Sequence, residues 1–492
     1  MGNKLNVTEY KLFAQRVGLV GITNAIVSLR GLILIPILTK TLGASGYGIW
    51  AQIIVTISLI TPIAMLGLPS AMVRFLAAEK DKKEIQEGVY SVLFAILFFG
   101  LFFSLLLYAL SNSIALTIIR DASAAPLIKI ASIIVLAGAL DGATLQFFLT
   151  FGQMKKYSAL TLLQTFGEVC LVALAVLYGF GLLGAVVSLL ISRIIVFLIA
   201  FFLILSKIGF VIPTFTQIKS RLKPYLLFGL PLVPAVISAW VINMSDRYII
   251  GYFMGSAPVG IYAAAYGIGN TILMFISPIR TVLYPTISKL WEEDKIEDVK
   301  THLKYSVKYF LMIAIPSAFG LSVLSKELLV ILATSEFVSA GSVIIPIVAF
   351  ATLIYGFYSI ATYVLTSARK THYIGLLLAV AAVTNIILNV VLIPLLGILG
   401  AAIATLITFF VLAALTLYLS FKDLRFDLNF GFIVKSVIAS MVMSGLILKY
   451  NPVGTINVLI SIGFGGGIYF GLLWLLKGFN KDELRVFKST LR

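Results

Sequence analysis

Apolar runs of about twenty residues or more recur along almost the whole of this chain, and that recurrence narrows its folds more than any other feature. A bilayer's hydrocarbon core is about 30 Å thick and takes roughly 20 helical residues to cross. Fourteen runs of that kind occur, at 14–39, 48–77, 88–110, 126–150, 158–180, 182–205, 225–253, 259–288, 305–324, 341–366, 373–393, 398–420, 431–449 and 456–476. Only 12% of residues are charged, half of what a soluble domain of about 25% carries. Pro36, Pro62, Pro231, Pro234, Pro278, Pro316 and Pro346 lie inside the runs. Bundled helices accommodate such prolines because neighbours satisfy the freed carbonyls, which argues against a β-barrel. The predicted class is an all-α polytopic membrane protein with about 14 transmembrane helices.

A net charge of +17 would suit nucleic acid if the cations shared one face, but they do not. Of the 37 Lys and Arg, 27 fall at one set of alternate span ends, 5 at the other and 5 within spans. That asymmetry is the positive-inside pattern; it predicts cytoplasmic N and C termini in a multi-pass plasma-membrane protein. It also favours contact with anionic membrane lipids and leaves no role for nucleic acid. The start of the chain is polar and the first apolar run is too long for a cleavable signal. The lone cysteine, Cys170, sits within a span, so neither an intrachain disulfide nor a cysteine metal site is expected. There is no Walker loop, catalytic triad or His/acid metal spacing, and the Gly463–Gly467 run falls inside the last span as packing. An enzyme, a cofactor and a metal site are therefore not expected.

The chain repeats itself. Gly43-Ala44-Ser45 and Gly48-Ile49-Trp50 return as Gly255-Ser256-Ala257 and Gly260-Ile261-Tyr262, at an offset of 212. Thr61-Pro62-Ile63 with Pro69-Ser70 returns as Ser277-Pro278-Ile279 with Pro285-Thr286, and Gly181-Leu182-Leu183-Gly184 as Gly397-Ile398-Leu399-Gly400, both at 216. Six spans per copy is an even number, so the copies insert in the same sense as parallel repeats. The expected organisation is an N-lobe over 1–206, a cytoplasmic inter-lobe linker at 207–224, a C-lobe over 225–421, and an appended helix pair with a basic tail over 422–492.

Charges inside spans break the repeat: Arg30 falls opposite Ile242, Arg74 opposite Leu290, Arg247 opposite Ile35 and Arg280 opposite Ala64. The fold does not demand them, and ionisable groups at membrane depth are costly. Four arginines on corresponding spans of the two copies are expected to face a central cationic chamber. The planar guanidinium suits phosphate oxygens, which points to an anionic cargo bearing phosphate or pyrophosphate. The blander roles are headgroup contact for Arg74 and Arg280, and a structural ion pair for Asp246 and Arg247. As helix neighbours about 100° apart, these last two are expected not to face one another directly. Asp246, Asp141 and Glu168 are candidates for ion coupling or charge pairing, Arg193 is a weaker cargo candidate, and Asn385 with Asn389 reads as interhelical hydrogen bonding.

Several stretches resemble the multidrug/oligosaccharidyl-lipid/polysaccharide exporter superfamily, in its polysaccharide-synthesis flippase branch. They are Leu42-Gly43 with Tyr47-Gly48, Gly229-Leu230-Pro231, Ser245-Asp246-Arg247-Tyr248-Ile249-Ile250 with Val259-Gly260-Ile261-Tyr262, and Asn385 to Ala402 with Asn389, Ile393-Pro394 and Gly397. The resemblance implies two six-helix lobes in alternating access, moving an isoprenoid-pyrophosphate-linked oligosaccharide from the cytoplasmic to the outer leaflet for cell-surface polysaccharide synthesis. Membrane lipids and glycosyltransferase or polymerase machinery are the expected partners, and the intramembrane acids Asp141 and Glu168 point to H+ or Na+ as a coupling ion. The alternatives left open are an ion-coupled multidrug or metabolite antiporter, a lipid II-type flippase, and a non-transporting scaffold.

Overall fold

A computed structural model describes residues 7–479, with side chains from residue 18. Lys4 and the basic tail carrying Lys481, Arg485, Lys488 and Arg492 lie outside the described residues, as do the side chains of Lys11 and Arg16. The elements are helices in the order α1 (Val7–Met65), α2 (Leu68–Leu76), α3 (Lys82–Ile114), α4 (Ala124–Thr150), α5 (Met154–Leu177), α6 (Gly181–Ile208), α7 (Phe215–Gly229), α8 (Val233–Met244) and α9 (Asp246–Met254). There follow α10 (Ser256–Gly269), α11 (Ile276–Glu292), α12 (Ile296–Val323), α13 (Ser325–Leu332), α14 (Ser335–Ser367), α15 (Thr371–Leu396), α16 (Ile398–Asp423), α17 (Phe430–Tyr450) and α18 (Thr455–Leu475).

Thirteen stretches are long and apolar enough to cross a membrane, among the described residues. The first, Gly18–Met65, has 48 residues, or about 72 Å of helix at 1.5 Å per residue, twice what one crossing needs. Its helical backbone is interrupted by a kink at Gly43, where φ is 67° and ψ −176°, so that two helices meet there. Two crossings joined at that glycine bring the number to the expected fourteen.

The repeat is visible in the backbone. Gly255, the counterpart of Gly43, adopts φ 83° and ψ −172°, a region open to glycine and strained for other residues. Gly181 and Gly397, the other matched pair, also share a positive φ of 59° and 62°. The two matched turns, at 43–48 and 255–260, cross in a reciprocal contact. Gly48 lies on the carbonyl of Ser256 and Gly260 on the carbonyl of Ala44, each pair being the other shifted by 212. Ser45 Oγ meets Ser256 Oγ at 3.0 Å beside the crossing.

Contacts group the chain into two compact units, one of residues up to 263 with 378–401, the other of 264–377 with 402 onward. In the first, α4 is the central helix, packing on α1, α2, α3, α5 and α6, with Ile128, Ala131, Val135, Ala139 and Phe147 buried along it. The 207–224 stretch joins this unit as structure. Thr214 and Gln217 form a capping box that starts α7, and Gln217 Nε2 donates to Glu87 Oε1 at 2.8 Å. Arg221 pairs with Glu84 and Glu87, and Tyr90 donates its hydroxyl to the Gly209 carbonyl at 2.6 Å.

The second unit is built on α12, whose buried Leu303, Val307, Phe310, Ala314 and Ala318 recur at helical spacing. The appended pair α17 and α18 shares that core through Phe432, Ala439, Met443, Tyr469 and Leu473. Gly356 on α14 leaves the space that the Phe310 ring fills.

Candidate charged site within the membrane helices

Asp141 lies at the middle of α4, the helix buried on most sides, and is 1% exposed; Glu168 on α5 is likewise 1% exposed. They belong to one polar cluster. Arg30 on α1 forms an ion pair with Glu168 through Nη1 and Oε2, and Arg193 on α6 approaches the other oxygen, Oε1, at 3.7 Å. Gln164, one turn before Glu168, donates its amide to Asp141 Oδ2 at 2.9 Å and reaches Glu168 Oε1 at 3.5 Å. Gly138, one turn before Asp141, leaves room for Arg193: a methyl there would stand 3.0 Å from Nη1.

Burying two carboxylates is tolerable only with cations and donors at hand. Glu168 has both arginines; Asp141 takes its one hydrogen bond from a neutral amide and feels Arg193 only at longer range, and its Oδ1 is buried without a hydrogen-bond partner. The cluster opens on one side, since the Arg30 side chain keeps 37% of its surface.

Asp246 and Arg247 are 1% and 5% exposed, and they do face one another, contrary to the helical-wheel expectation. Arg247 Nη1 donates to Asp246 Oδ1 at 2.6 Å and to the Asn243 carbonyl at 2.5 Å. The reason is local. α8 stops at Met244 and Asp246 opens α9, so its Oδ1 also accepts the Arg247 backbone N–H at 2.9 Å. The long arginine side chain folds back toward the preceding turn, as helical side chains do. Tyr262 completes the knot, donating its hydroxyl to Asp246 Oδ2 at 2.6 Å with its ring 5.4 Å from the guanidinium. Ser245 Oγ donates to Asn385 Oδ1 at 3.4 Å, while Asn389 donates to Asn385 within their own helix. Trp240 donates to Ser58 Oγ at 3.0 Å and Tyr248 meets Thr56 at 2.6 Å, tying α8 and α9 to the second limb of α1.

Arg74, in the last turn of α2, is exposed and stands over the Phe228 ring at 5.0 Å, a cation–π contact. Arg280, on α11 of the second unit, is exposed and within electrostatic range of Tyr358. Within the first unit, then, Arg30, Asp141, Glu168 and Arg193 converge, Asp246 joins Arg247, and Arg74 keeps an aromatic seat of its own. Sequence reasoning missed Gln164, although its spacing of four before Glu168 on an apolar helix was a signal. No group of three or more His, Cys, Asp or Glu side chains fit to hold a metal occurs among the described residues.

A family profile described as "Polysaccharide biosynthesis protein" matches residues 13–291, and a second, MatE, matches residues 231–391. The chain is similar to two proteins of Haloferax volcanii. One is the probable low-salt glycan biosynthesis flippase Agl15, 27% identical over 49% of this chain and 50% of that protein. The other is the probable flippase AglR, 29% identical over 50% of this chain and 53% of that protein. The chain thus spans about half the length of these curated relatives. Among solved structures it is similar to the lipid II flippase MurJ in an inward closed conformation, with TM-score 0.76 at 20% identity over 95% of this chain and 98% of that one. An inward-facing multidrug resistance MATE family transporter gives TM-score 0.63 at 15% identity, over 81% of this chain and 94% of that one. At these identities the likeness is one of fold. The superfamily resemblance drawn from the sequence holds.

Proposed function

Because the chain belongs to the polysaccharide biosynthesis protein family, we propose that it is a flippase. It moves an isoprenoid-(pyro)phosphate-linked oligosaccharide from the cytoplasmic to the outer leaflet by alternating access, with both termini in the cytoplasm. The names of the two archaeal relatives support this reading, as does the fold shared with a lipid flippase. The observation that carries it is Arg30: a guanidinium inside the hydrophobic length of α1, anchored to Glu168 yet open on one side.

An arginine placed in this way can take a phosphate group at small cost. Glu168 also lies 3.7 Å from Arg193, so Arg30 can turn its free N–H groups toward phosphate oxygens without leaving a buried carboxylate uncompensated. Arg74 also carries exposed guanidinium surface and is proposed as a further contact for the charged head; Arg280, in the second unit, is exposed likewise. Arg247 is buried against Asp246 and is assigned to structure. The lipid tail stays in the bilayer, and the sugars need only hydrated space.

The MatE match over 231–391 favours a second reading, an ion-coupled antiporter of drugs or metabolites. Translocation of a fluorescent isoprenyl-pyrophosphate-linked oligosaccharide in proteoliposomes, with and without H+ and Na+ gradients, decides between them. Losing a charge-assisted contact worth about 1.5–3 kcal/mol should slow Arg30→Ala about 10- to 150-fold at subsaturating cargo, with Arg30→Lys in between. Wild-type rates in Arg30→Ala, or no translocation by the unaltered protein in any gradient, would overturn the reading.

A further inference from the structure

We infer that Asp141 is a proton-binding site, and that its occupancy sets how much positive charge Arg30 presents to an anionic cargo. The inference rests on the flippase reading for the cargo, but the proton site stands on its own geometry.

Two carboxylates share two arginines here, and they do not share them equally. Glu168 holds Arg30 in direct contact and has Arg193 at 3.7 Å. Asp141 is 1% exposed, receives a neutral amide on Oδ2, and has no hydrogen-bond partner on Oδ1. A buried anionic oxygen without a donor is among the costlier arrangements in a protein, and a proton removes most of that cost. The asymmetry therefore places the proton on Asp141 Oδ1 and leaves Glu168 as the fixed counter-charge.

Helices packed around α4 supply the groups that act on this position. α5 brings Gln164 and Glu168, α6 brings Arg193, and α1 brings Arg30 by way of Glu168. α2 and α3 carry charge toward their ends, at Arg74 and over Lys82 to Glu87. With Asp141 ionised the four charged side chains cancel; with it protonated they sum to one positive charge. Arg30 is the member with open surface, so that charge is felt by whatever anion it meets. By linkage, an anion bound at Arg30 must in turn tighten the proton on Asp141 by the same factor.

The test begins without cargo. Infrared difference spectra of the protein in nanodiscs, titrated with pH, should show a carboxylic-acid C=O stretch that is lost in Asp141→Asn. Binding of a soluble short-chain isoprenyl pyrophosphate, with inorganic pyrophosphate in parallel, follows by calorimetry. Acidification should tighten wild-type binding about tenfold more than Asp141→Asn binding, within the usual range of coupling between sites. The isosteric variant cancels the titration of the ligand itself. Should Asp141→Asn not fold, Gln164→Leu keeps every charge and removes the donor to Oδ2, so it should move the midpoint of the same band. A band that survives Asp141→Asn, one that Gln164→Leu leaves in place, or identical pH profiles in wild type and Asp141→Asn would overturn the inference. Failure of the flippase reading would show instead as absent lipid translocation with the infrared band intact.

Discussion

The knot at Asp246 and Arg247 lends itself to a double-mutant cycle, because the structure shows what each single change leaves behind. Asp246→Asn leaves a guanidinium of 6% side-chain exposure without its carboxylate. Arg247→Met leaves a carboxylate of 2% exposure without its cation, although Tyr262 and the backbone N–H at 247 still donate to it. Breaking a buried pair from either side costs about 3–5 kcal/mol. An independent scale agrees: two unit charges about 4 Å apart attract by about 4 kcal/mol at an effective dielectric near 20. Removing both charges together loses the attraction and the burial penalty at once, so the double variant should be close to neutral, within about 1 kcal/mol of the unaltered protein. Additivity would instead give roughly 6–10 kcal/mol, the sum of the two single costs. Denaturant unfolding in mixed micelles, followed by tryptophan fluorescence with the other three tryptophans replaced by Phe in every variant, reads this region through Trp240, which packs 5.8 Å from the Tyr248 ring. A double variant that costs the sum of the singles to within about 0.5 kcal/mol would mean that the charges do not act as a pair, and the assignment of Arg247 to structure would fall with it.

Two further outcomes follow from the packing and the loops. Gly48→Ala and Gly260→Ala each push a methyl into a carbonyl of the facing turn and should cost about 1–3 kcal/mol or more; Gly463→Ala, with open space around its added methyl, should be neutral to mildly stabilising. Thermal melts by size-exclusion chromatography separate the three, and equal behaviour would refute the crossing. At the loop before α17, a hydrogen bond from Lys304, and then one from the Asn429 backbone, hold the Asp427 carboxyl below its ordinary value. Its folded pKa is the depressed one, so the stabilisation is present above the unfolded value near 3.9 and is lost as pH falls through the folded value. Hydrogen exchange of residues 424–429 should therefore rise in acid below about pH 4 in wild type and show no such step in Asp427→Asn.

Hydropathy alone made the fourteen crossings legible, because each crossing must satisfy its own backbone in lipid and leaves a run of fixed length. The repeat was legible from glycines for a related reason: positions such as Gly43 and Gly255 need a backbone conformation that few other residues adopt. The charged site was only half legible. Arg30, Asp141 and Glu168 stood out singly as membrane-depth charges, but their meeting depends on how α1, α4, α5 and α6 pack, which no spacing encodes. The separation expected for Asp246 and Arg247 assumed one unbroken helix and short side chains; the interruption after Met244 and the reach of arginine defeat both assumptions. The 207–224 stretch looked like linker because it holds basic residues and prolines, yet Thr214-Phe215-Thr216-Gln217 is a capping box that could have been read there.

The crossing of the two matched turns has a consequence for biosynthesis. The turn at 43–48 cannot meet its mate until a further 212 residues have been made, about 10–40 s at ribosomal rates of roughly 5–20 residues per second. Through that interval the glycine face near Gly48 lacks the Ser256 carbonyl that it packs on in the finished fold. Mutations that slow elongation or insertion between the two turns should therefore lower yield without weakening the finished protein.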